Sequence, residues 1–526
     1  MPNRRQFLQS SALMGAVAIA SNAINRPALA LSAAPGIITS KKMRPQIPYG
    51  VASGDVTGAG DAVIWSRCDR PGRMIVEYAG DESFRNAKRI VGPAALESTD
   101  YTARICLSDL PSDREIFYRV SFQDLVDTNV FSEPVAGRFR SAPGSNKDVY
   151  FAWSADTAGQ GWGINSDWGG MKMYETIRKL KPDFFIHCGD YIYADSPISS
   201  EVRLNDGTIW RNLTTPETSK VAETIQEFRG NYIYNLLDEN MRRFNAEVPQ
   251  VVQWDDHETL DNWYPTEMLL SDDRYKVKSV ALLAARAKQA FLEYTPINLL
   301  RSDRERIYRS FSYGPYLDVF ILDTRSYRGP NSTNRQAEPS EETAFFGNAQ
   351  LNWLKHKLRN SKATWKVISN DLPIGVTIPA GRSIFENMAN GDGPPLGREL
   401  EMAELLRSLK QDNVKNVVWL TADIHCASAH YYNPNKAVFQ DFNPFWEFVS
   451  GPIQASNFTP QKLDNTFGPE IKFRCPNGSD IYNLPPTEGQ QFCGTVKIDG
   501  YNQVMTVKQY NLAGEEIYSL DLPPEI

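Results

Sequence analysis

Six short apolar segments of this chain each run into an acidic residue, and this recurrence limits the possible folds more than any other feature. The segments are residues 150–154, 184–189, 251–254, 319–322, 365–369 and 417–420, and the acids after them are Asp156, Asp190, Asp255 with Asp256, Asp323, Asp371 and Asp423. In an open α/β sheet the ligand site lies beyond the carboxyl ends of the strands. A single loop aspartate is an ordinary turn residue, but six carboxylates at one edge repel one another unless cations neutralise them. The sequence therefore predicts buried strands that deliver carboxylates to a metal site.

The residue types near these acids indicate two different metal ions. Tyr193 lies three residues after Asp190, and a phenolate ligand needs a strong Lewis acid to lose its proton near neutral pH. His425 adds a nitrogen donor, so this set of donors indicates iron. The remaining donors are all oxygens: Asp256, Asp371 and Asp423. Oxygen-only coordination favours Ca²⁺ or Mg²⁺ over Zn²⁺, although Zn²⁺ or Mn²⁺ stays open as an alternative.

Two residues beside the predicted ligands are candidates for catalysis. His257 follows Asp256, and its imidazole could donate a proton to a leaving oxygen or bind phosphate; the alternative is a spacer next to a ligand. Arg325 follows Asp323 by two residues, and its planar guanidinium could hold phosphate oxygens; the alternative is a salt bridge to Asp323. We favour the catalytic role for both.

The chain shows two kinds of organisation. Residues 45–142 contain short segments of alternating polarity about ten residues apart, at 62–67, 74–78, 102–107 and 116–122. This spacing predicts an all-β sandwich of the immunoglobulin or fibronectin type. After a linker at 142–146, residues 147–526 alternate buried strands with helices, as at 171–180 and 274–293, and a strand pair at 495–498 and 504–510 closes the chain. This second part is predicted to be an α/β domain.

The first thirty residues are predicted to be an export signal. Arg4 and Arg5 precede Phe7, an apolar stretch follows at 11–24, and the sequence Ala-Leu-Ala at 28–30 matches a signal-peptidase site. Paired arginines in this position resemble a twin-arginine signal. A membrane anchor is the alternative, but this stretch is too short to cross a hydrocarbon core of ~30 Å. We expect export in folded form by the twin-arginine machinery to the periplasm or the extracellular space, with no transmembrane segment after cleavage.

Composition limits the partners and the disulfide framework. The 63 acidic and 56 basic residues give a net charge of −7, and basic residues form no block in the sequence, so duplex nucleic acid is not an expected partner. Six cysteines in an exported protein could form disulfides. The candidate pairs are Cys475 with Cys493 and Cys68 with Cys106. Cys188 and Cys426 lie in apolar runs and are expected to be buried thiols.

Taken together, the motifs resemble those of the binuclear metallophosphoesterases. At the second motif, Gly189-Asp190-x-x-Tyr193-Ala194-Asp195, the chain is similar to the iron-tyrosinate purple acid phosphatases. The whole series most resembles the PhoD-type alkaline phosphatase/phosphodiesterase family, whose pattern also includes the export signal and the sandwich segments. The matching segments, besides Asp156, are 50–55, 64–67, 189–195, 255–258, 322–328 and 423–425. The resemblance extends from Arg4 to about Gly451.

The resemblance implies an α/β (α+β) fold, a four-layer metallophosphoesterase β-sandwich flanked by helices, with Fe³⁺ and one or two Ca²⁺. Carried over by position, Asp190 would bridge the ions. The other ligands would be Asp156, Tyr193 and His425 for iron, and Asp256, Asp371 and Asp423 for calcium. Some PhoD-type enzymes have a cysteine where this chain has Asp156. Purple acid phosphatases place Asn and His around the second metal, where this chain offers carboxylates, and this departure supports calcium.

The resemblance also implies an activity. It indicates an exported alkaline phosphatase with phosphodiesterase activity, in which a metal-bound hydroxide attacks phosphorus. One alternative is a phospholipase D-like phosphodiesterase that acts on lipid or cell-wall substrates. Another is a calcium-binding envelope protein without catalysis, against which Tyr193 and His425 argue because calcium storage needs neither.

Overall fold

The computed structural model describes residues 43–204, 206–299, 303–458, 460–477 and 484–525. Contacts separate Met1–Met43 from a larger unit, Arg44–Ile526, and the architecture below is that of the larger unit. The predicted signal peptide, residues 1–30, lies outside the described residues. Within the described ranges, no helix has both the length and the apolar character needed to cross a membrane.

The strands in the first part of the chain follow the predicted alternating segments closely. They are β1 (Val51–Gly54), β2 (Ala62–Arg67), β3 (Gly72–Ala79), β4 (Lys88–Ala95), β5 (Thr102–Leu107), β6 (Glu115–Asp124) and β7 (Val135–Arg140). The predicted linker at 142–146 lies between β7 and the next strand. The division into domains at 45–142 and 147–526 stays a prediction.

The rest of the chain alternates strands and helices. Its strands are β8 (Val149–Ser154), β9 (Phe184–His187), β10 (Glu201–Arg203), β11 (Ile209–Arg211), β12 (Gln250–Val252), β13 (Arg309–Ser312), β14 (Leu317–Ile321), β15 (Trp365–Ser369), β16 (Pro379–Gly381), β17 (Ile384–Phe385), β18 (Val417–Thr421), β19 (Ala427–Tyr432), β20 (Phe445–Val449), β21 (Pro469–Cys475), β22 (Phe492–Ile498), β23 (Met505–Asn511) and β24 (Glu516–Leu522). Its α-helices are α1 (Lys172–Leu180), α2 (Ile225–Asn235), α3 (Glu239–Glu247), α4 (Val280–Tyr294), α5 (Asn348–Asn360) and α6 (Glu399–Gln411). Short 3₁₀ turns occur at Glu97–Thr99, Glu217–Ser219, Glu341–Thr343 and Pro486–Glu488.

Two large sheets form the centre of the molecule. One has nine strands in the order β24-β23-β22-β8-β9-β12-β1-β2-β5, and the other has seven in the order β13-β14-β15-β18-β20-β19-β21. Buried side chains from both sheets, such as Ile186, Val251, Val367 and Val418, share one core. Helices α1–α4 pack on the outer face of the first sheet and α5–α6 on that of the second. The result is the helix–sheet–sheet–helix arrangement of the expected four-layer fold.

The N-terminal sandwich shares a sheet with the α/β part. Its second sheet has the order β4-β3-β6-β7, whereas β1, β2 and β5 continue the nine-stranded sheet through parallel pairing of Gly54 with Gln250. This pairing requires glycine, because a Cβ on Gly54 would lie 2.6 Å from the carbonyl oxygens of Gln250 and Pro296. The pairing therefore fixes the sandwich directly beside the strands that end at the predicted site.

The six strands predicted to end in acid are all present, but they belong to two sheets. Strands β8, β9 and β12 are neighbours in the first sheet, and β14, β15 and β18 are neighbours in the second. Within each trio the pairing is parallel. Contacts such as the hydrogen bond from Trp254 Nε1 to Asp323 Oδ1, 2.9 Å, join the two sets of carboxyl ends. The predicted single sheet edge is thus a seam where two sheets meet.

Three details differ from the sequence-based expectations. Helix α4 begins at Val280 rather than near 274, because Ser279 pairs with Met268 in an isolated bridge. A third strand, β24, follows the predicted C-terminal pair.

The third difference concerns the disulfides, because the six thiols, all within the described residues, are free. The proposed pair Cys68–Cys106 is wrong, since Cys106 lies opposite Val63 and Arg67 lies opposite Thr102. The stretch of strand from Val63, opposite Cys106, to Arg67, the neighbour of Cys68, is roughly 13 Å long. This distance is beyond the reach of a disulfide. The pair Cys475–Cys493 is also wrong, since both thiols are free.

Candidate metal centre

The four side chains predicted to hold iron converge where β8, β9 and β18 end. They are Asp156, Asp190, Tyr193 and His425. Ligand atoms of Asp156, Asp190 and His425 all lie within 4.8 Å of one another. Nε2 of His425 lies 3.4 Å from Oδ1 of Asp156 and 3.1 Å from the hydroxyl of Tyr193. The group has the dimensions of a site for one cation.

Four of the predicted ligands have a left-handed backbone conformation. The φ angle is 66° at Asp156, 53° at Asp190, 63° at Asp423 and 46° at His425. Aspartate enters this region more readily than most residues because its short side chain bonds locally. Non-glycine residues in this conformation concentrate at functional sites, and here they bring the donors of separate strands together.

The electrostatics of this first group favour a bound cation. Both carboxylate oxygens of Asp156 are buried and have no hydrogen-bond partner among the described residues. Burial raises the pKa of Asp190 well above its usual range. Burial and the charges of Asp190 and Asp156 likewise raise the pKa of Tyr193. A metal ion would reverse these shifts by favouring the charged forms, so the donor set fits a metal and is unfavourable without one.

His425 is held for the role of a nitrogen ligand. Its Nδ1 donates to the carbonyl oxygen of Ser456, which leaves Nε2 facing Asp156 and Tyr193. The ring of Phe458 stacks on the imidazole at 4.1 Å and 6°. A second hydrogen bond that fixes the tautomer is usual for metal-binding histidines.

The predicted calcium ligands lie beside the first group. Asp256 groups within 4.8 Å with Asp190 and His257, and separately with Asp255 and Asp423. The groups that meet this distance among the described residues do not include Asp371. Its Oδ2 accepts from the hydroxyl of Thr324, while its buried Oδ1 has no partner in the described part of the chain. The structure therefore brings Asp256 and Asp423 together and places Asp371 at the margin.

The side chain of His257 is 18% exposed, whereas those of His425 and Asp156 are at most 2% exposed. Its backbone N–H donates to Oδ1 of Asp256 and Oδ1 of Asp190, at 2.9 and 3.2 Å. Its Nδ1 lies 2.8 Å from Oδ1 of Asp195, and its ring stacks on Tyr193 at 4.2 Å. Burial lowers the pKa of His257, but the carboxylates of Asp195, Asp256 and Asp190 outweigh burial and raise it well above the usual range. The role of His257 as a proton donor stays a prediction.

The side chain of Arg325 is fully buried. Its Nε donates to Oδ1 of Asp255 at 2.6 Å, and its Nη1 contacts Oε1 of Glu386. Only its backbone N–H reaches Asp323, at 3.2 Å. Burial opposes the charge, yet Asp255 and Glu386 hold the pKa of Arg325 well above its usual value. Its predicted role in phosphate binding stays a prediction.

Sequence reasoning missed three acidic residues of the centre. Asp255 was present in the motif but was not assigned as a ligand. Asp195 is the last residue of the motif that begins at Gly189. Its position two residues after Tyr193 could have indicated that it belongs to the centre. Glu386 follows β17, in a segment without a recognisable pattern, and only the fold brings it to Arg325.

The glycine-rich loop 159–163 lies beside Tyr193. A Cβ on Gly159 would lie 2.5 Å from the ring of Tyr193, so glycine permits the contact. The side-chain oxygen of Gln160 accepts from both the backbone N–H and the hydroxyl of Ser456, at 2.9 and 2.6 Å. Trp162 packs edge-on against Trp210 at 5.8 Å. The loop thus contacts Tyr193 and Ser456, the residue whose carbonyl oxygen binds His425.

A second arrangement has the order of a serine triad. Ser428 Oγ lies 3.0 Å from Nε2 of His430, and Nδ1 of His430 lies 3.1 Å from Oε2 of Glu447. The backbone N–H of Ile374 and the hydroxyl of Tyr432 also donate to Glu447. All three residues are fully buried, so a substrate cannot reach the serine and the network is structural.

Comparisons with known proteins agree with this geometry. Residues 30–143 match the N-terminal domain of PhoD-like phosphatases, and residues 151–509 match the PhoD-like phosphatase family itself. Alkaline phosphatase D of Bacillus subtilis (strain 168) is 27% identical over 452 residues, which are 81% of this chain and 72% of that protein.

Solved structures show the same fold. A structure of PhoD aligns with a TM-score of 0.67 and 21% identity, over 93% of this chain and 90% of that one. A purple acid phosphatase from seeds of yellow lupin (Lupinus luteus) aligns with a TM-score of 0.53 and 13% identity, over 91% and 74%. Since the family model matches more than half of its residues, the chain belongs to the PhoD-like phosphatase family and is a phosphoric ester hydrolase.

Proposed function

We propose that the protein is an exported, metal-dependent alkaline phosphatase that also cleaves phosphodiesters. The observation that carries this proposal is the convergence of Asp156, Asp190, Tyr193 and His425, two of whose buried oxygens, both on Asp156, have no partner in the described residues. Such a set concentrates like charge, which a bound cation would neutralise while keeping the donors ionised. The relative from Bacillus subtilis supports the phosphatase activity through its name, alkaline phosphatase D.

The two groups of donors suit different ions. Asp156, Asp190, Tyr193 and His425 would hold Fe³⁺, because a phenolate and an imidazole suit a transition metal. Asp256, Asp423 and, after a small shift, Asp371 would hold Ca²⁺, which prefers oxygen ligands. Zn²⁺ or Mn²⁺ is the alternative. When bound, the cations would lower the pKa of water and neutralise charge on the phosphoryl oxygens.

The chain itself supplies the proton for the leaving group. Asp195 holds Nδ1 of His257 at 2.8 Å, and Nε2, which lies 3.9 Å from Oδ1 of the exposed Asp261, would donate to a leaving oxygen. Stacking on Tyr193 restricts the ring to that orientation. Asp195 also accepts a hydrogen bond from the backbone N–H of Asp261 at 2.8 Å. This bond holds the Asp195 carboxylate in the position from which it contacts His257.

The segments around the metal centre would determine the preference for phosphate monoesters or diesters. The donors address the phosphoryl group, which monoesters and diesters share, so both are expected substrates. Helices α2 and α3 and the β10–β11 hairpin, with Trp210, lie in the segment between Ser196 and Glu247 that we predict to control access. A phospholipase D-like activity on lipid or cell-wall phosphodiesters remains the second candidate. A calcium-storing envelope protein is disfavoured, because Tyr193 and His425 have no role in it.

Three measurements test the proposal. Plasma emission analysis of protein from its native host should find iron and calcium. Chelation should abolish hydrolysis of p-nitrophenyl phosphate, and Ca²⁺ should restore it better than Zn²⁺. Activity on bis-p-nitrophenyl phosphate should lie within about a thousandfold of that on the monoester, or roughly 4 kcal/mol. An active enzyme free of metal would overturn the proposal.

Export is tested separately. Replacing Arg4 and Arg5 together by lysine should retain the protein in the cytoplasm, as fractionation of the producing cells would show. Secretion that is unaffected by this double substitution would contradict a twin-arginine route.

A further inference from the structure

Arg325 is enclosed by carboxylates on two opposite sides. Nε and Nη2 lie 2.6 and 2.5 Å from Oδ1 of Asp255, and Nη1 contacts Oε1 of Glu386 on the other side. The side chain has an exposed fraction of 0%. To hold a phosphoryl group, the guanidinium would have to leave both partners and expose two buried carboxylates.

The same guanidinium faces two predicted ligands of the second cation. Nε lies 3.5 Å from Oδ2 of Asp371, and Nη2 lies 3.9 Å from Oδ1 of Asp256. A planar guanidinium presents five donors in a fixed fork, so one side chain contacts several carboxylates at once. A lysine at this position offers the charge but not the fork. The guanidinium is therefore in ion-pair contact with Asp255, Asp256 and Asp371, and its Nε also donates a hydrogen bond to Asp255.

Glu386 is itself anchored by two further buried arginines. Its carbonyl oxygen accepts from Nη2 of Arg328 and from Nη1 of Arg398. Arg398 also donates to the carbonyl oxygens of Gly329 and Pro330, each at 2.9 Å. The segment after β17 is thereby fixed to the segment that carries Arg325.

We propose that Arg325 and Glu386 are positioning residues for the second cation site, in which Glu386 fixes the guanidinium and the guanidinium fixes Asp255, Asp256 and Asp371. Replacing a residue that orients metal ligands usually alters metal affinity by 10–100-fold. This inference rests on the proposed function, because it requires that the carboxylates bind a divalent cation.

Calorimetric titration of the full chain with Ca²⁺, after removal of divalent cations, tests the proposal. Arg325→Lys keeps the charge and removes the fork, and Glu386→Gln keeps the size and removes the charge. Both should bind Ca²⁺ about 10–100-fold more weakly than the wild type while retaining iron. Arg229→Lys is the matched control, since Arg229 forms a buried pair with Glu293 at 2.7 Å between α2 and α4. Its Ca²⁺ affinity should equal that of the wild type.

Steady-state kinetics provide a second measurement that a purely structural defect would not reproduce. Excess Ca²⁺ should restore the activity of both variants. At saturating Ca²⁺ their KM for p-nitrophenyl phosphate and inhibition by inorganic phosphate should lie within about threefold of the wild type. If Arg325→Lys does not fold, Glu386→Gln carries the test.

The outcomes separate the inference from the proposed function. Normal Ca²⁺ affinity combined with phosphate affinity at least tenfold weaker would identify Arg325 as a phosphate ligand and overturn the inference. Normal Ca²⁺ binding by the wild type and by both variants would overturn the inference alone. A wild-type protein that binds no divalent cation would overturn the proposed function and the inference with it.

Discussion

The hydroxyl of Tyr193 lies 3.1 Å from Nε2 of His425, a residue 232 positions further along the chain. Tyr193 follows β9 in the nine-stranded sheet, and His425 follows β18 in the seven-stranded sheet. The pair therefore joins the two halves of the seam. Both side chains are predicted iron ligands, and neither would be needed for calcium storage.

With the proposed Fe³⁺ bound by Tyr193, the protein should be coloured by tyrosinate-to-iron charge transfer, and replacing Tyr193 by Phe should remove that colour. Because a ligand is lost, activity should fall by at least about 100-fold, the upper range found for groups one step further from a metal. Visible absorption and iron content of the purified variant check this result. Tyr191→Phe is the control, since Tyr191 is also buried but lies outside the donor group, and it should keep the colour. A colourless wild-type enzyme with full activity and no iron would contradict the assignment.

Replacing Asp371 by Asn should weaken binding of the proposed Ca²⁺ and leave binding of the proposed Fe³⁺ unchanged. Its Oδ1 is buried without a partner among the described residues, and an amide oxygen binds Ca²⁺ less strongly than a carboxylate. We expect Ca²⁺ affinity to fall about 10–100-fold with iron content unchanged. Asp392→Asn is the control, because Asp392 is exposed and remote in sequence from the ligands. Full rescue of the wild type by Zn²⁺ alone, after chelation, would show that the oxygen-donor argument is wrong.

The buried acid pair Glu399–Asp464 should make stability fall as pH rises. Burial and the charge of Asp464 raise the pKa of Glu399 to about 9. The unfolded chain releases this proton near pH 4.3, so between these values the folded state holds one proton more. The free energy of unfolding should decrease with pH, by up to about 1.4 kcal/mol per unit for one proton.

Glu399→Gln has no such proton and should flatten this slope. Urea unfolding at pH 5, 7 and 9 measures it for both proteins. Glu404→Gln on the same helix is the control, because Glu404 is exposed and pairs with Lys355 at the surface. An unchanged slope in Glu399→Gln would exclude the pair as its source.

The buried ion pair between Asp55 and Arg309 should stabilise the junction of the sandwich with the α/β part. Arg309 Nη2 lies 2.7 Å from Oδ1 of Asp55, and Asp55 also accepts from the backbone N–H of Asn298 at 2.8 Å. Asp55→Ala leaves a buried charge without its partner and should lower the free energy of unfolding by about 3–5 kcal/mol.

Chemical denaturation measures this loss. Asp441→Ala removes a surface carboxylate that pairs with Arg407 and Lys410, and it should change stability by less than about 1 kcal/mol. Equal effects of the two substitutions would mean that the junction does not depend on the pair.

Much of the fold could be predicted because the sequence signals were local. Strands β2 and β5 have the predicted ends, and the strand that precedes Asp371 does too, since buried strands are short apolar runs bounded by turn residues. The start of α4 was predicted too early because helical periodicity extends into a segment that forms a bridge instead. The disulfide candidates failed for a related reason, as spacing in sequence says little about which strand ends lie within reach.

The sequence by itself determined which side chains follow the ends of the buried strands. The position of a residue directly after a strand depends only on the local sequence. For this reason the apolar runs alone were enough to place Asp156, Asp190 and Asp423 after strand ends, and their role as ligands stays a prediction. The tertiary structure decided which of them meet: two sheets rather than one share the seam, so Tyr193 and His425 come into contact, whereas Asp371 stays at the margin. It also decided that Arg325 is enclosed by Asp255 and Glu386. A buried charge takes its partner from whichever carboxylate the packing brings close, and packing joins residues that no local pattern relates.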